Sequence, residues 1–127
     1  MTEHVPLIMC EDEELPVPTE WRKPLAEMVE CLASGKLSKL PSLPAVTLRT
    51  EDVCRDIENY IRAYGRKLTN LPKESWRTSI YLWMNGYWEI LVDLFTVEEG
   101  CSDLVLFVRV HPKEGSYIFQ IESVHVP

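Results

Sequence analysis

The chain has 127 residues and a formal net charge of −7, with 46% apolar and 26% charged residues. This is the composition of one globular domain, able to bury roughly 65% of its unfolded surface around a real core. An acidic field repels phosphate backbones and anionic lipid and attracts basic partners, so direct nucleic-acid and membrane-surface binding are disfavoured.

The charge is uneven along the chain: residues 1–20 carry −6, residues 21–72 carry +3 and residues 73–127 carry −4. Residues 1–18 hold Pro6, Pro16 and Pro18, which predicts an extended acidic arm rather than a helix. The opening MTEHVPLIMCEDEELP lacks a basic n-region and does not read as a signal peptide. No apolar run approaches the roughly 20 residues that a bilayer-spanning helix needs.

Residues 19–70 read as a helical part. A first helix is expected from about Glu20 to Ser34, with Thr19 as its N-cap and Gly35 as its stop. Its buried stripe is Leu25, Met28, Val29 and Leu32, at i, i+3, i+4 and i+7. Pro24 is tolerable only near the first turn. The stretch KLSKLPSLPAVTLR reads as a loop. A second helix follows, capped by Thr50, with Glu51 and Asp52 in its positive first turn and Arg66 and Lys67 in its last. Val53, Ile57, Tyr60, Ile61, Tyr64 and Leu68 make one apolar face over about five turns.

From Trp76 the period changes to 2, and residues 76–126 predict a four-stranded antiparallel meander: Thr78–Met84, Tyr87–Thr96, Ser102–His111 and Ser116–Val126. Asn85-Gly86 is a preferred two-residue hairpin turn, because both positions tolerate positive φ. Trp88, Ile90, Val92 and Leu94 share one face with Leu104, Leu106, Val108 and Val110, and bury against the helices together with Ile57, Ile61 and Tyr64. The expectation is a single domain over residues 1–127, α+β in class: arm, two helices, then the sheet packed on them.

Cys10, Cys31, Cys54 and Cys101 stand 21, 23 and 47 residues apart with no CxxC pair. That spacing gives no zinc ribbon or thioredoxin-type site, and four free thiols in a cytoplasmic protein are expected. No GxGxxG, P-loop, GxSxG or HExxH occurs, so no cofactor, metal or catalytic residues are assigned. His111, His125 and Lys113 are residue types that could serve general acid–base cleavage of RNA, against which the acidic field argues.

Alternation places Tyr81, Trp83, Glu89, Leu91, Asp93, Phe95, Asp103, Val105, Phe107, Arg109 and His111 on the other sheet face. Aromatics among carboxylates there suggest a surface that binds something. Glu89, Asp93, Glu98, Glu99 and Asp103 form its acidic part, with Tyr81, Trp83 and Phe107 as anchors for a protein partner. The alternative is a cup-shaped ligand-binding or enzymatic domain with a pocket lined by Tyr81, Trp83, Asp93 and His111.

The stretch Trp88–Leu104, WEILVDLFTVEEGCSDL, resembles a core of small bacterial proteins in which a strand ending in VDLWT leads into EEG-x-SDL. Phe95 stands here where tryptophan is often found. Size, acidity and the helix-then-sheet order also resemble immunity proteins of bacterial toxin–immunity systems, including contact-dependent growth inhibition. The resemblance implies a non-enzymatic inhibitor that neutralises a basic toxin domain such as a ribonuclease, and a monomer or weak dimer is expected.

Overall fold

The structure, a computed structural model, describes residues 4–9 and 13–127. In chain order its elements are β1 (Leu15–Pro16), α1 (Thr19–Ala33), a 3-10 segment Leu37–Ser42, β2 (Val46–Leu48), α2 (Val53–Tyr64), a second 3-10 segment Lys73–Arg77, β3 (Ile80–Trp83), β4 (Trp88–Thr96), β5 (Gly100–Lys113) and β6 (Ser116–His125). The class is α+β. The strands make one six-stranded sheet in the order β1-β3-β4-β5-β6-β2. All pairs are antiparallel except β2, which runs parallel to β6. The meander β3 to β6 is its centre, turned at Asn85 (φ 56°) and Gly86 (φ 137°).

The two outer strands correct the four-stranded expectation. Val46, Thr47 and Leu48 lie beside Phe119, Gln120 and Ile121, so part of the expected loop is an edge strand. Three residues are too few to display a period. On the other edge, Leu15 and Pro16 pair with Tyr81 and Ile80, a position where proline's missing donor is tolerated. The arm is held further along as well. The Val5 amide donates to Thr19 Oγ1 at 2.6 Å, Thr19 N donates to the Val5 carbonyl at 2.9 Å, and Ile8 N donates to the Tyr81 hydroxyl at 2.6 Å. The Thr19 hydroxyl therefore serves the arm, and Pro18 occupies the position expected of it at the helix cap.

Helix α1 buries Trp21, Leu25, Met28, Val29 and Leu32. The Trp21 indole is the centre of the packing, edge-on to Tyr81, Trp88, Tyr117 and Phe119 at centroid distances of 5.5, 5.4, 5.5 and 6.2 Å. Helix α2 is shorter than its charge pattern suggests. Thr50 to Asp52 form a turn ahead of Val53, and Gly65, left-handed at φ 78°, ends the helix before Arg66 and Lys67. Val53 and Ile57 are buried, while Ile61 and Tyr64 are only half-buried at the margin of the core, a correction to their expected burial. Trp88, Ile90, Val92 and Leu94 are buried with Leu104, Leu106, Val108 and Val110, as alternation requires.

Cys31, Cys54 and Cys101 are free thiols; Cys10, and the arm residues Glu11 and Asp12, lie outside the described residues. Among the described residues no helix is long and apolar enough to cross a membrane.

Candidate functional site

The buried side chains of α1, α2 and the 3-10 segment Leu37–Ser42 belong to one cluster on one sheet face. The other face is left mostly to half-exposed side chains, and strand register says which; Phe95, expected there, is buried. Ile80, Leu91, Phe107 and Ser123 form one row across β3 to β6; Leu82, Glu89, Arg109 and Gln120 form the next; Asp93, Val105 and His125 form a third. Of these only Val105 is buried. The face is thus an apolar band, Ile80–Leu91–Phe107, between two charged margins.

One margin is a polar chain. Arg109 Nε lies 3.3 Å from Glu122 Oε1, Gln120 Nε2 donates to Glu122 Oε2 at 2.8 Å, and His111 Nε2 lies 3.1 Å from Gln120 Oε1. The Arg109 guanidinium also sits 4.9 Å over the Tyr87 ring. Glu122 shares this face with Gln120, two residues before it, and a bulge lies there. Phe107 faces Ser123 while Val108 faces Ile121, so β6 holds one extra residue there. The bulge lets Ile121 and Val124 both point inward and Glu122 and Ser123 both point outward. Strict alternation from Gln120 keeps Glu122 on this face but turns Ser123 and His125 to the other, so those two are what the bulge brings round.

Carboxylates line the other margin. Burial first, and then the charges of Asp93, Glu74, Asp103 and Glu99, push the Cys101 thiol above its ordinary pKa. Those four acids lie near enough to Cys101, at the β4–β5 end, for their charges to act on it. No sequence pattern brings Glu74 there; it arrives on the 3-10 segment whose Ser75 hydroxyl donates to the Asp93 carbonyl at 2.7 Å.

The expected site residues divide three ways. Glu89, Asp93, Asp103 and Phe107 lie on or beside the open face, Glu89 in the Arg109 row and Asp93 and Asp103 at the opposite margin. Glu98 and Glu99 lie at the exposed hairpin tip but bind their own chain. Glu98 Oε1 accepts from Lys67 N at 3.0 Å, a bond that holds its carboxyl below the usual range. Glu99 accepts from the Tyr64 hydroxyl at 2.9 Å and from Thr96 Oγ1 at 3.1 Å. Tyr81 and Trp83 stand opposite Ile90 and Trp88, hence on the helix face. Tyr81 is 0% exposed, so it presents nothing to a partner.

The same register removes the expected cup. Tyr81 and Trp83 cannot line a pocket with Asp93 and His111, which lie across the sheet. Nor do the histidines converge: His111 pairs with Ile118 and His125 with Val105, six strand positions away. At about 3.3 Å per residue that is roughly 20 Å. Among the described residues no group of His, Cys, Asp and Glu is arranged to hold a metal ion.

A family model described as "Domain of unknown function (DUF7668)" matches residues 29–127, from the middle of α1 through the whole central sheet. No curated protein matches the chain, and no solved structure matches it.

Proposed function

For this chain, which belongs to the DUF7668 family, we propose a non-enzymatic role: it binds a basic protein through the uncovered face of its sheet. In the fullest form of this reading it is a cytoplasmic immunity protein that covers a cognate toxin nuclease. The observation that supports the reading is the apolar band Ile80–Leu91–Phe107 with Asp93 and Asp103 at one margin and Glu89 at the other, on the face opposite the core cluster of the described residues. A net charge of −7 raises the encounter rate with a cationic domain, and the carboxylates compete for the groups that would hold a substrate's phosphates. Phe107 and Leu91 supply the central apolar contact from which water is excluded.

The test uses the purified product of the gene immediately upstream, with calorimetry for binding and ribonuclease activity for inhibition. Stoichiometric binding that abolishes the activity supports the reading. No binding, or binding that leaves the activity intact, overturns it.

A further inference from the structure

On the helix side, between the first turns of α1 and the start of β6, lies a groove of about 370 Å³. Its floor is aromatic. Tyr117 is half-buried against it, with Trp21 and Phe119 buried behind. One wall is α1, which brings Glu20, Pro24 and Glu27 to the groove. Glu20 and Glu27 are seven residues apart and so lie on one stripe of the helix. Pro24 has no N–H, so the Glu20 carbonyl lacks the donor that a helix normally gives it four residues on. Burial, and then the Glu20 carboxylate, raise the pKa of the Tyr117 hydroxyl. The wall is therefore rich in acceptors. Its one cation, Lys23, is exposed and takes no part in the ion pairs among the described residues.

The opposite lip, Leu43–Val46, is formed in advance. Ala45 holds φ at 61°, a left-handed conformation unfavourable to a non-glycine residue. Phe119 N fixes it by donating to the Ala45 carbonyl at 2.8 Å, and Val46 N donates to the Leu43 carbonyl at 3.2 Å. A lip already in place costs a ligand no ordering.

We propose that this groove receives a lysine or arginine side chain presented by another polypeptide, its aliphatic stem against Pro24 and Leu43 and its cationic head between Glu20, Glu27 and the Tyr117 ring. Aromatic rings and carboxylates together recognise a cation on an apolar stem, and neither alone would require both features. The groove is partly open to solvent, which suits a side chain carried in on a backbone. The proposal uses no residue of the sheet face and stands or falls apart from it.

The experiment titrates ¹⁵N-labelled protein with acetyl-Gly-Arg-Gly-amide, its lysine counterpart, its norleucine counterpart, and agmatine. The Trp21 indole N–H and the Ala45 and Tyr117 amides report on the groove. The expected result is that the arginine and lysine peptides shift these signals and the norleucine peptide binds about tenfold more weakly. In the double variant Glu20→Gln/Glu27→Gln, whose remaining spectrum shows an intact fold, the arginine peptide should bind about fivefold more weakly. Equal binding of the norleucine peptide, or unchanged affinity in the double variant, overturns the cationic assignment. An arginine peptide that moves no groove signal overturns the site. Agmatine binding about tenfold more tightly than the peptides would make it a site for small amines instead.

Discussion

The Phe107 ring lies flat on the His125 imidazole, with centroids 4.3 Å apart and planes within 4° of parallel. His125 is itself fixed, its Nδ1 2.9 Å from Ser123 Oγ and its ring edge-on to Tyr60 at 6.4 Å. The central apolar residue of the open face is thereby held in one orientation before anything binds. A rigid ring loses little entropy on association, which is the property of an anchor.

The core account predicts an order of costs along α2. Ile57 is 2% exposed whereas Ile61 is half-buried. Ile57→Ala should lower unfolding free energy by about 2–5 kcal/mol, and Ile61→Ala by clearly less. Urea unfolding of both variants checks this. A larger loss at Ile61 would mean that the helix is rotated about its axis.

Just ahead of β3, two serines take over strand pairing. Asp93 N donates to Ser79 Oγ at 2.9 Å, and the Asp93 carbonyl accepts from Ser75 at 2.7 Å. Both serines are buried. Ser79→Ala leaves a strand amide without its partner and should cost about 1–3 kcal/mol. Denaturant unfolding with amide exchange at Asp93 measures it; unchanged protection there would contradict the role.

Sequence patterns make the central sheet and the inner face of β4 and β5 legible, because each spans enough residues to show a period. They fail where the chain departs from one. Alternation puts Tyr81 on the wrong face because β3 is only four residues long and its register is set by the hairpin. Continued along β6 it turns Ser123 and His125 to the wrong face, because a bulge breaks the period. The arm's docking rests on bonds from Val5 and Ile8 that no local pattern encodes. Glu98 and Glu99 read as a free acidic tip because their partners, Lys67 and Tyr64, lie more than thirty residues earlier.

Those bonds give a pH prediction. The Lys67 amide stabilises the Glu98 carboxylate, so its folded pKa lies below its unfolded one. The stability this supplies is present above the usual glutamate range and is lost as pH falls through that range to the lower folded value. Glu98→Gln should therefore lower stability at neutral pH and flatten the acid limb of the stability curve. An acid limb as steep as in the unaltered chain would contradict it.

Cys101 is exposed, yet burial and the surrounding acids raise its pKa. Its reaction with a disulfide reagent at neutral pH should be slower than that of a free cysteine, and faster in Asp93→Asn/Asp103→Asn, because the thiolate is the reactive form. The unfolded protein, without reductant, should titrate as four thiols. A rate indifferent to both aspartates would mean that the acids do not converge there.

The central claim is that the open sheet face, with Phe107 at its middle, is the contact for a basic protein. Stopped-flow association with the upstream gene's product tests it most directly, comparing the unaltered chain with Phe107→Ala and with Glu89→Gln/Asp93→Asn/Asp103→Asn across a salt series. Phe107→Ala should speed dissociation about thirtyfold, the equivalent of about 2 kcal/mol, with little change in association. The triple variant should slow association and flatten its salt dependence. Rate constants and salt slope unchanged in both variants, with binding intact, would place the contact elsewhere and contradict the account.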